Sequence, residues 1–436
     1  MKVENLESVS TNPRRRKILE QLPDIFHKLD PENVCREKGA ELKQSPKKSG
    51  RTYVIGFGKA SLKMYKGIRS SFVDCIDGAY IIVPDDEIID STFPELTVLE
   101  GTHPVPGGKS VSSTEKILRS LEDLNEEDTV FVLISGGGSA LFESPVEGVT
   151  IEDIGKASEC LMDADADIYE LNTFRKFFSR VKGGRLANLL RPARVIGLVI
   201  SDVFGDDLSM IASGPLTYTE YKEQDLEDII GKYGQRCPIL KEMGSKSAIA
   251  GPDSSAFTNV QLHVVLRNRD FVNEFYNTFN HWGADCINLG SDVNGDVQSV
   301  ADRVISIIRS ARSIKRNGFW FTFGGETTVK VRGDGQGGRN QELSLRVLKQ
   351  MKDQDFLFMS IGTDGIDGKS PAMGAIVDSE LRKKLTDEEI DRSIASSDSY
   401  TLLNSYNSAI ITGRTGTNVS DIAVGYFGGS QRDEDD

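Results

Sequence analysis

A fully apolar segment that runs directly into three consecutive glycines constrains the fold of this chain more than any other feature. Residues 130–134 are apolar at every position, and Ser-Gly-Gly-Gly-Ser follows at residues 135–139. An apolar run of this length predicts a strand buried on both faces, as in a parallel sheet. Glycine permits φ > 0 and leaves its N–H groups open to a ligand. The segment therefore predicts a strand and a tight turn, and the turn is either an anion cradle or a turn without a ligand.

Similar combinations of strand, polar loop and helix recur along the chain. Apolar strands are predicted at residues 52–56, 79–83 and 195–200, and a second series begins with a strand at 260–266. Strands that alternate with helices are typical of a doubly wound α/β sheet. The polar segment 218–253 separates the two series. We therefore expect two α/β domains, over residues 1–252 and 253–436.

The composition restricts the class of protein further. The chain has 436 residues, which exceeds one ordinary core, and a net charge of −14 without a broad basic face. No apolar run approaches the ~18 residues of a membrane-spanning helix, and the polar N-terminus does not resemble a secretory signal. We expect a cytoplasmic enzyme that contacts neither nucleic acid nor membrane.

The cysteines and histidines do not suggest a metal site. Five cysteines are dispersed without CxxC spacing, at Cys35, Cys75, Cys160, Cys237 and Cys286. They are expected to be reduced thiols, and neither a disulfide frame nor a zinc site is predicted. None of the four histidines has the spacing of a metal ligand.

Two other glycine-rich loops contain lysine. Residues 56–61 approach the dinucleotide pattern G-x-G-x-x-G, but Ser61 replaces the third glycine. Lys59 opposes the dipole of the helix that follows unless an anion lies between them, and the alternative is a solvated surface lysine. Residues 101–110 resemble a phosphate-binding loop, but His103 stands where that pattern needs glycine. Lys109 is therefore interpreted as part of an ordinary turn and helix cap.

Carboxylates follow two of the predicted strands. Asp202, Asp206 and Asp207 come after strand 195–200, and Asp364 and Asp367 come after strand 356–361. Carboxylates at the carboxyl ends of strands are suited to hold Mg²⁺ against phosphate oxygens, although they also cap helices and turns.

Arg339 lies between a glycine pair and a predicted helix. Its guanidinium is suited to bind a phosphate or carboxylate, and the alternative is a salt bridge to Glu326 or Glu342. No Cys–His or Ser–His–Asp grouping is evident in the sequence. Cations, carboxylates and backbone N–H groups on separate loops favour phosphoryl transfer.

Read together, these loops resemble the class II glycerate 2-kinases, whose C-terminal part is called the MOFRL domain. The matching segments are residues 56–61 (GFGKAS), 101–106 (GTHPVP), 134–141 (ISGGGSAL), 172–175 (NTFR), 181–187 (VKGGRLA), 200–208 (ISDVFGDDL), 211–215 (IASGP), 324–329 (GGETTV), 337–343 (GGRNQEL), 362–368 (GTDGIDG) and 415–419 (TGTNV). They follow one another in order from about residue 53 to residue 428.

The resemblance implies ATP-dependent phosphorylation of D-glycerate at its 2-hydroxyl, giving 2-phosphoglycerate and ADP, with Mg²⁺. It also implies a larger Rossmann-like N-terminal domain and a smaller C-terminal domain that contains the MOFRL region, about residues 315–428. The active site is then expected in the cleft between the domains. Apart from these implications of the resemblance, a homodimer is the one assembly considered. The alternatives are an NAD(P)H-dependent hydroxypyruvate reductase and a non-catalytic sensor of sugar acids or nucleotides.

The site residues are carried over position by position. Lys59, Arg339 and Asp202 are expected to be catalytic, and Asp202, Asp206 and Asp364 are expected to hold the metal. The expected substrate- or phosphate-binding residues are Ser135, Gly136, Gly137, Gly138, Ser139, Arg175, Lys182, Glu326 and Asn340. Three positions depart from the family pattern, namely Phe177 for histidine, Leu216 for threonine and Arg414 for proline. The first two are expected to alter substrate fit, and the third adds a cation beside a binding loop.

Overall fold

The computed structural model describes residues 1–43, 50–86, 93–246, 251–312, 314 and 317–428. The chain divides into two compact units. We refer to Pro31–Leu266 as the central unit, and to Met1–Asp30 together with Arg267–Asp436 as the terminal unit. Within the described ranges, no helix is both long enough and apolar enough to cross a bilayer.

The helices and strands are numbered in chain order. Up to residue 266 they are α1 (Leu6–Val9), α2 (Pro13–Leu19), α3 (Leu22–Lys28), α4 (Pro31–Leu42), β1 (Thr52–Phe57), α5 (Ser61–Ser71), β2 (Gly78–Pro84), β3 (Leu96–Gly101), α6 (Gly108–Ser120), β4 (Thr129–Ile134), α7 (Gly138–Leu141), α8 (Ile151–Asp163), α9 (Ile168–Phe177), α10 (Arg185–Leu189), β5 (Arg194–Ile200), α11 (Glu223–Tyr233), α12 (Ile239–Gly244) and β6 (Val260–Leu266). Beyond residue 266 they are α13 (Asn268–His281), β7 (Cys286–Asn288), β8 (Gly295–Asp296), α14 (Val297–Arg312), β9 (Phe319–Gly325), β10 (Thr327–Thr328), α15 (Arg339–Gln350), β11 (Phe356–Gly362), β12 (Gly374–Asp378), α16 (Ser379–Lys384), α17 (Asp387–Ala395), α18 (Ser399–Ser405), β13 (Ala409–Ile410) and β14 (Asp421–Phe427). Short 3₁₀ turns occur at Phe204–Asp206, Ile211–Ser213 and Ser254–Asn259.

The central unit is built on a six-stranded sheet in which every neighbouring pair is parallel. The strand order is β3-β2-β1-β4-β5-β6, which is the Rossmann order. Every residue of β4 after Thr129 is buried, as expected for a strand covered on both faces. The strand order reverses between β1 and β4, so the loops that leave these strands meet at the carboxyl edge of the sheet. The expected doubly wound, Rossmann-like α/β fold is confirmed.

The terminal unit contains a mixed six-stranded sheet with the order β13-β12-β11-β14-β9-β7. All its pairs are antiparallel except β7 with β9. Asp421, the first residue of β14, pairs with Gly325 at the end of β9 and with Gly362 at the end of β11. This register places a carboxylate where the loops after β9 and β11 leave the sheet.

The course of the chain between residues 218 and 266 differs from the domain junction expected near residue 252. The polar segment contains α11 and α12, whose Leu226, Ile229 and Leu240 are buried in a helical cluster with α8 and α9. Strand β6 pairs with β5, so it completes the central sheet and does not begin the second one. As a result the central unit ends at Leu266, beyond the expected boundary at residue 252, and the first thirty residues belong to the terminal unit.

The expectation that all five cysteines are reduced is wrong for two of them. Cys160, near the end of α8, forms a disulfide with Cys237, which precedes α12. The two residues are 77 positions apart, so their spacing carries no signal, and helix packing brings them together. Cys35, Cys75 and Cys286 remain thiols, as expected. The acidic tail of residues 431–436 lies outside the described residues.

Candidate active site

The glycine loop after β4 is held by its neighbours yet leaves several N–H groups unused. The N–H of Ser135 donates to the carbonyl of Phe57, and the N–H of Gly138 donates to the carbonyl of Ser135. Gly137 has φ of 85°, a conformation that favours glycine. Within the described part of the chain, the N–H groups of Gly136, Gly137 and Ser139 donate to no protein acceptor. Three neighbouring free donors form a cradle for an anion.

The loop after β1 is fastened to this cradle. The N–H of Lys59 donates to the carbonyl of Gly136 at 3.0 Å, and the N–H of Ala60 donates to Oγ of Ser135 at 3.0 Å. A Cβ on Gly58 would overlap Ser135, so the two loops touch without space for a side chain. These bonds use the donors of the two residues that precede α5 and leave the Lys59 side chain exposed beside the cradle.

The loop after β5 brings a carboxylate to the same place. A Cβ on Gly136 would overlap Oδ2 of Asp202, so this carboxylate lies against the glycine loop. Asp206 follows in a 3₁₀ turn with φ of 55°. The structure therefore brings Lys59, Gly136 and Asp202 together, and they come from the loops of three adjacent strands.

A hydrogen-bonded chain supports the far end of the glycine loop. Oγ of Ser139 lies 3.0 Å from Oγ of Ser213, whose hydroxyl donates to Oδ1 of Asn172 at 2.7 Å. Ser213 has φ of 60°, although it is not glycine. Such a conformation is retained only where the surroundings hold it in place. The hydroxyl of Ser139 is therefore committed to the fold.

A cavity of about 190 Å³ opens beside the glycine loop. It is lined by His103, Pro104, Pro106, Gly137, Ser139, Ala140, Glu143, Ile154 and Arg175. Burial lowers the pKa of Arg175, while the carboxylate of Glu143 acts to raise it. A guanidinium remains charged in such a setting because its ordinary pKa exceeds 12. The cavity therefore presents one cation and one anion to a small polar molecule.

Lys182 is buried and supports the wall of the cavity. Its ammonium pairs with Glu143, and both side chains are 1% exposed. The ammonium also donates to the carbonyl of Phe142 at 3.4 Å. Burial lowers the pKa of Lys182, and Glu143 acts against that shift. Lys182 thus fixes Glu143 in the cavity wall but does not itself line the cavity.

In the terminal unit, Arg339 is held by two carboxylates. Its Nε and Nη2 donate to the two oxygens of Asp421 at 2.6 and 3.0 Å, and Nη1 lies 2.6 Å from Oε1 of Glu326. Burial acts to lower the pKa of Arg339, but the carboxylate of Asp421 raises it overall. The salt bridge to Glu326 considered from the sequence is present, whereas Glu342 pairs with Arg346.

Asn340 and Asp367 complete this network. Nδ2 of Asn340 donates to Oδ1 of Asp421 at 2.9 Å, and the carboxylate of Asp367 accepts from the N–H groups of Asn340 and Gln341. Burial raises the pKa of Asp367, and it raises that of Asp421 to about 7 despite the opposing effect of Arg339. Asp364 is half-buried, and its Oδ1 accepts from the N–H of Ile366.

The predicted metal residues do not form a closed site. Asp202 and Asp206 belong to the central unit and Asp364 to the terminal unit. Among the residues described, no three His, Cys, Asp or Glu side chains are grouped as metal ligands. Mg²⁺ commonly uses one or two carboxylates together with substrate phosphates and water. Asp202 beside an anion cradle fits that mode of binding.

The positions that depart from the family pattern have distinct surroundings. Phe177 is buried, and its ring meets Tyr221 edge to face at 5.3 Å. Leu216 is 2% exposed and packs in the core below the central sheet. Arg414 is exposed and adjoins Gly365. The two apolar residues are therefore part of the core, and Arg414 is part of the surface.

Three residues of the site, His103, Glu143 and Asp421, were not assigned a role from the sequence, whereas Asp367 was considered among the carboxylates suited to Mg²⁺. His103 and Glu143 line the cavity, and Asp421 and Asp367 hold the start of α15. His103 lies inside a family motif, which is a usable signal. Asp421 gives no local signal, because its position depends on pairing among three strands.

The central sheet has Rossmann order, and an anion cradle, a lysine and a carboxylate lie near the reversal of strand order. This is the layout of a phosphotransferase. The chain matches the domain of unknown function DUF4147 over residues 19–243 and the MOFRL family over residues 319–421. It belongs to the glycerate 2-kinase family, as its motifs predicted.

Relatives match this chain along most of its length. A protein named glycerate 2-kinase from Picrophilus torridus is 45% identical and covers 98% of this chain and 99% of the relative. A protein from Agrobacterium vitis with a provisional hydroxypyruvate reductase name is 34% identical over 86% of this chain and 98% of its own. The crystal structure of a glycerate kinase from Thermotoga maritima superimposes with a TM-score of 0.84 at 31% identity, covering 94% of this chain and 98% of that one.

Proposed function

We propose that this protein is a glycerate 2-kinase that transfers the γ-phosphoryl group of ATP to the 2-hydroxyl of D-glycerate. The observation that carries the proposal is the gathering of Lys59, the glycine loop and Asp202 at the reversal of strand order, in a chain of this family. Phosphoryl transfer needs positioning and charge neutralisation more than covalent chemistry, and these groups supply both.

The glycine loop is proposed to bind phosphate oxygens of ATP. The free N–H groups of Gly136, Gly137 and Ser139 point from one short turn, so they suit a tetrahedral anion. Lys59 adds an exposed positive charge beside them. As negative charge spreads over the oxygens of the transferring group, this ammonium would stabilise it.

Glycerate is proposed to occupy the cavity beside this loop. Its volume of about 190 Å³ suits a three-carbon acid with some water. The guanidinium of Arg175 would bind the carboxylate, because a planar cation matches it with two hydrogen bonds. Glu143, held by Lys182, would accept a hydrogen bond from a hydroxyl of the substrate. A sugar acid without that hydroxyl would leave the buried carboxylate without this partner.

Asp202, with Asp206, is proposed to hold Mg²⁺ together with the phosphates of ATP. Both residues follow β5 at the carboxyl edge of the sheet. Bound there, the ion would neutralise phosphate charge. Asp364 is proposed as a further carboxylate in the terminal unit that takes part in this role.

Arg339 is proposed to contribute one side of its guanidinium to the transferring group. Asp421 holds Nε and Nη2, so the plane of the guanidinium is fixed. Among the described residues, Nη1 is paired with Glu326 alone, whose side chain is 49% exposed. An exposed ion pair is weak, so a phosphate oxygen could replace Glu326 at small cost. We propose that Arg339, like Lys59, stabilises the negative charge that develops on the transferring group.

The reductase alternative is less well supported by the loop after β1. In dinucleotide-binding sheets, the pyrophosphate binds the N–H groups at the start of the first helix. Here the N–H groups of Lys59 and Ala60 already donate to Gly136 and Ser135. A sensor without catalysis would not need a carboxylate beside its anion cradle.

The test is a coupled assay with the intact protein, ATP, Mg²⁺ and D-glycerate, in which enolase is added with or without phosphoglycerate mutase. Enolase alone should consume the product, because 2-phosphoglycerate is its substrate. A requirement for the mutase would overturn the position of transfer, and absence of ADP would overturn the kinase. L-Glycerate serves as the control acid, and oxidation of NADH with hydroxypyruvate would establish the reductase instead.

A further inference from the structure

His103 lies against the glycine loop, although the cradle described above does not use it. A Cβ on Gly137 would lie 3.0 Å from Cδ2 and 3.1 Å from Nε2 of the imidazole, and 3.5 Å from Cγ of Lys59. The imidazole and the Lys59 side chain therefore flank the same glycine. His103 also lines the cavity that contains Arg175 and Glu143. It is thus the one imidazole in the described chain that borders both the cradle and the cavity.

The surroundings of His103 favour the neutral ring. Burial lowers the pKa of His103, and the positive charge of Lys59 lowers it further, while Asp86 acts in the opposite direction. The other charged side chains of the cavity are Arg175 and Glu143, and Glu143 pairs with Lys182. A neutral imidazole has one nitrogen with a free lone pair, which can accept a proton near neutral pH.

We infer that His103 is the catalytic base that accepts the proton of the glycerate hydroxyl during transfer; this inference rests on the proposed kinase function. The hydroxyl oxygen forms a bond to the γ-phosphorus, and the bond from that phosphorus to the bridging oxygen breaks, with its electron pair leaving on ADP. The O–H bond breaks as the new P–O bond forms, and the proton passes to an imidazole nitrogen. The imidazolium beside Lys59 then releases its proton to water.

The other candidate bases are less suited. Asp202 lies against Gly136 on the loop, and it is the carboxylate proposed to face the metal and phosphates. Glu143 is held by Lys182 and accepts from the N–H of Ser144 at 2.9 Å. The hydroxyl of Ser139 is bound to Ser213. Among these groups, only the imidazole borders the cavity without a protein hydrogen bond.

The test compares the pH dependence of kcat for the wild type and His103→Gln, with ATP and D-glycerate in excess. Glutamine keeps the size and an acceptor oxygen but does not titrate. We expect kcat to fall by on the order of 10²-fold and KM values to change little. The acid limb of the wild-type profile, with a pKa below that of ordinary histidine, should disappear. Imidazole added to His103→Ala should restore part of the turnover.

Two further variants separate the possible results. His263→Gln is the matched control, because burial lowers the pKa of His263 as well, yet it lies on the edge strand β6. It should keep both kcat and the acid limb, and Asp202→Asn should lower kcat but keep the limb.

If His103→Gln keeps both the wild-type kcat and the acid limb of the pH profile, the role of His103 is overturned, while the proposed kinase function is not affected. Loss of the limb in Asp202→Asn, with retention in His103→Gln, would assign the base to Asp202 and also overturn it. Absence of glycerate phosphorylation by the wild type would overturn the proposed function and this inference together.

Discussion

Replacing Lys59 with alanine tests the site most directly, because the change removes a charge without removing a support of the fold. The backbone N–H of residue 59, not its side chain, holds the loop to the carbonyl of Gly136. Alanine keeps that hydrogen bond, and the lysine side chain is exposed. We therefore expect a folded protein with a normal unfolding midpoint and a defect confined to turnover.

The size of the defect follows from the position of the ammonium. A unit charge about 4 Å from another contributes ~4 kcal/mol at an effective dielectric constant of ~20. Solvent screening of an exposed lysine reduces that figure, and only the charge that develops on the way to the transition state counts toward kcat. We expect a loss of about 2.7 kcal/mol of transition-state stabilisation, which corresponds to a fall in kcat of about 10²-fold.

Lys109→Ala is the matched control. Lys109 is also an exposed lysine at the start of a helix in the same unit, but its ammonium pairs with Glu100 at 2.9 Å and Asp85 at 3.2 Å. Steady-state kinetics with ATP and D-glycerate should give kcat near the wild-type value. If Lys59→Ala retains turnover within about threefold of wild type while Lys109→Ala abolishes it, the site has been assigned to the wrong loop.

Other predictions concern the terminal unit and the disulfide. Arg339→Ala should lower kcat by about 10²-fold or more, and it should also lower the unfolding midpoint because Asp421 loses its buried cation. Arg346→Ala is the control and should leave kcat near the wild-type value. Equal kinetics in the two variants would contradict the role of Arg339. Reduction with dithiothreitol should remove the Cys160–Cys237 bond and lower the free energy of unfolding by about 2–4 kcal/mol in denaturant titrations, whereas Cys160→Ser should not respond to the reductant. Because burial raises the pKa of Asp421 to about 7 from an ordinary 3.8, the folded state retains a proton that the unfolded chain loses. Its stabilising contribution is therefore present at low pH and declines as pH rises through about 7, and thermal unfolding of Asp421→Asn should show a weaker decline.

The sequence predicted the central sheet well because each of its strands carries its own local signal. An apolar run such as residues 130–134 is specific for a strand covered on both faces, and the glycines after it mark a tight turn. Lys59 and Asp202 were predicted to act together because both follow such strands. The reversal of strand order between β1 and β4 then explains why their loops meet.

Features that depend on distant pairing could not be predicted in the same way. Asp421 is held beside Arg339 by the register of β14 with two other strands, and nothing in its own segment indicates this. Cys160 and Cys237 are joined only because α8 packs near α12. His103 was interpreted only as the residue that stands in place of a glycine in a phosphate-binding pattern. The spacing of a motif does not show which loop a side chain faces, so its position beside Gly137 was not predicted.

The hydrogen bonds between the first two loops also explain why a dinucleotide-like pattern need not bind a dinucleotide. A helix N-terminus binds pyrophosphate only while its N–H groups are free. In this chain the donors of Lys59 and Ala60 are used by Gly136 and Ser135, whereas the loop after β4 keeps three donors that bind no described acceptor. These donors lie in the loop after β4, the strand next to β1, and the side chain of Lys59 lies beside them. The pattern G-x-G-K and the triple glycine therefore lie side by side, with the Lys59 side chain of the first loop next to the backbone donors of the second.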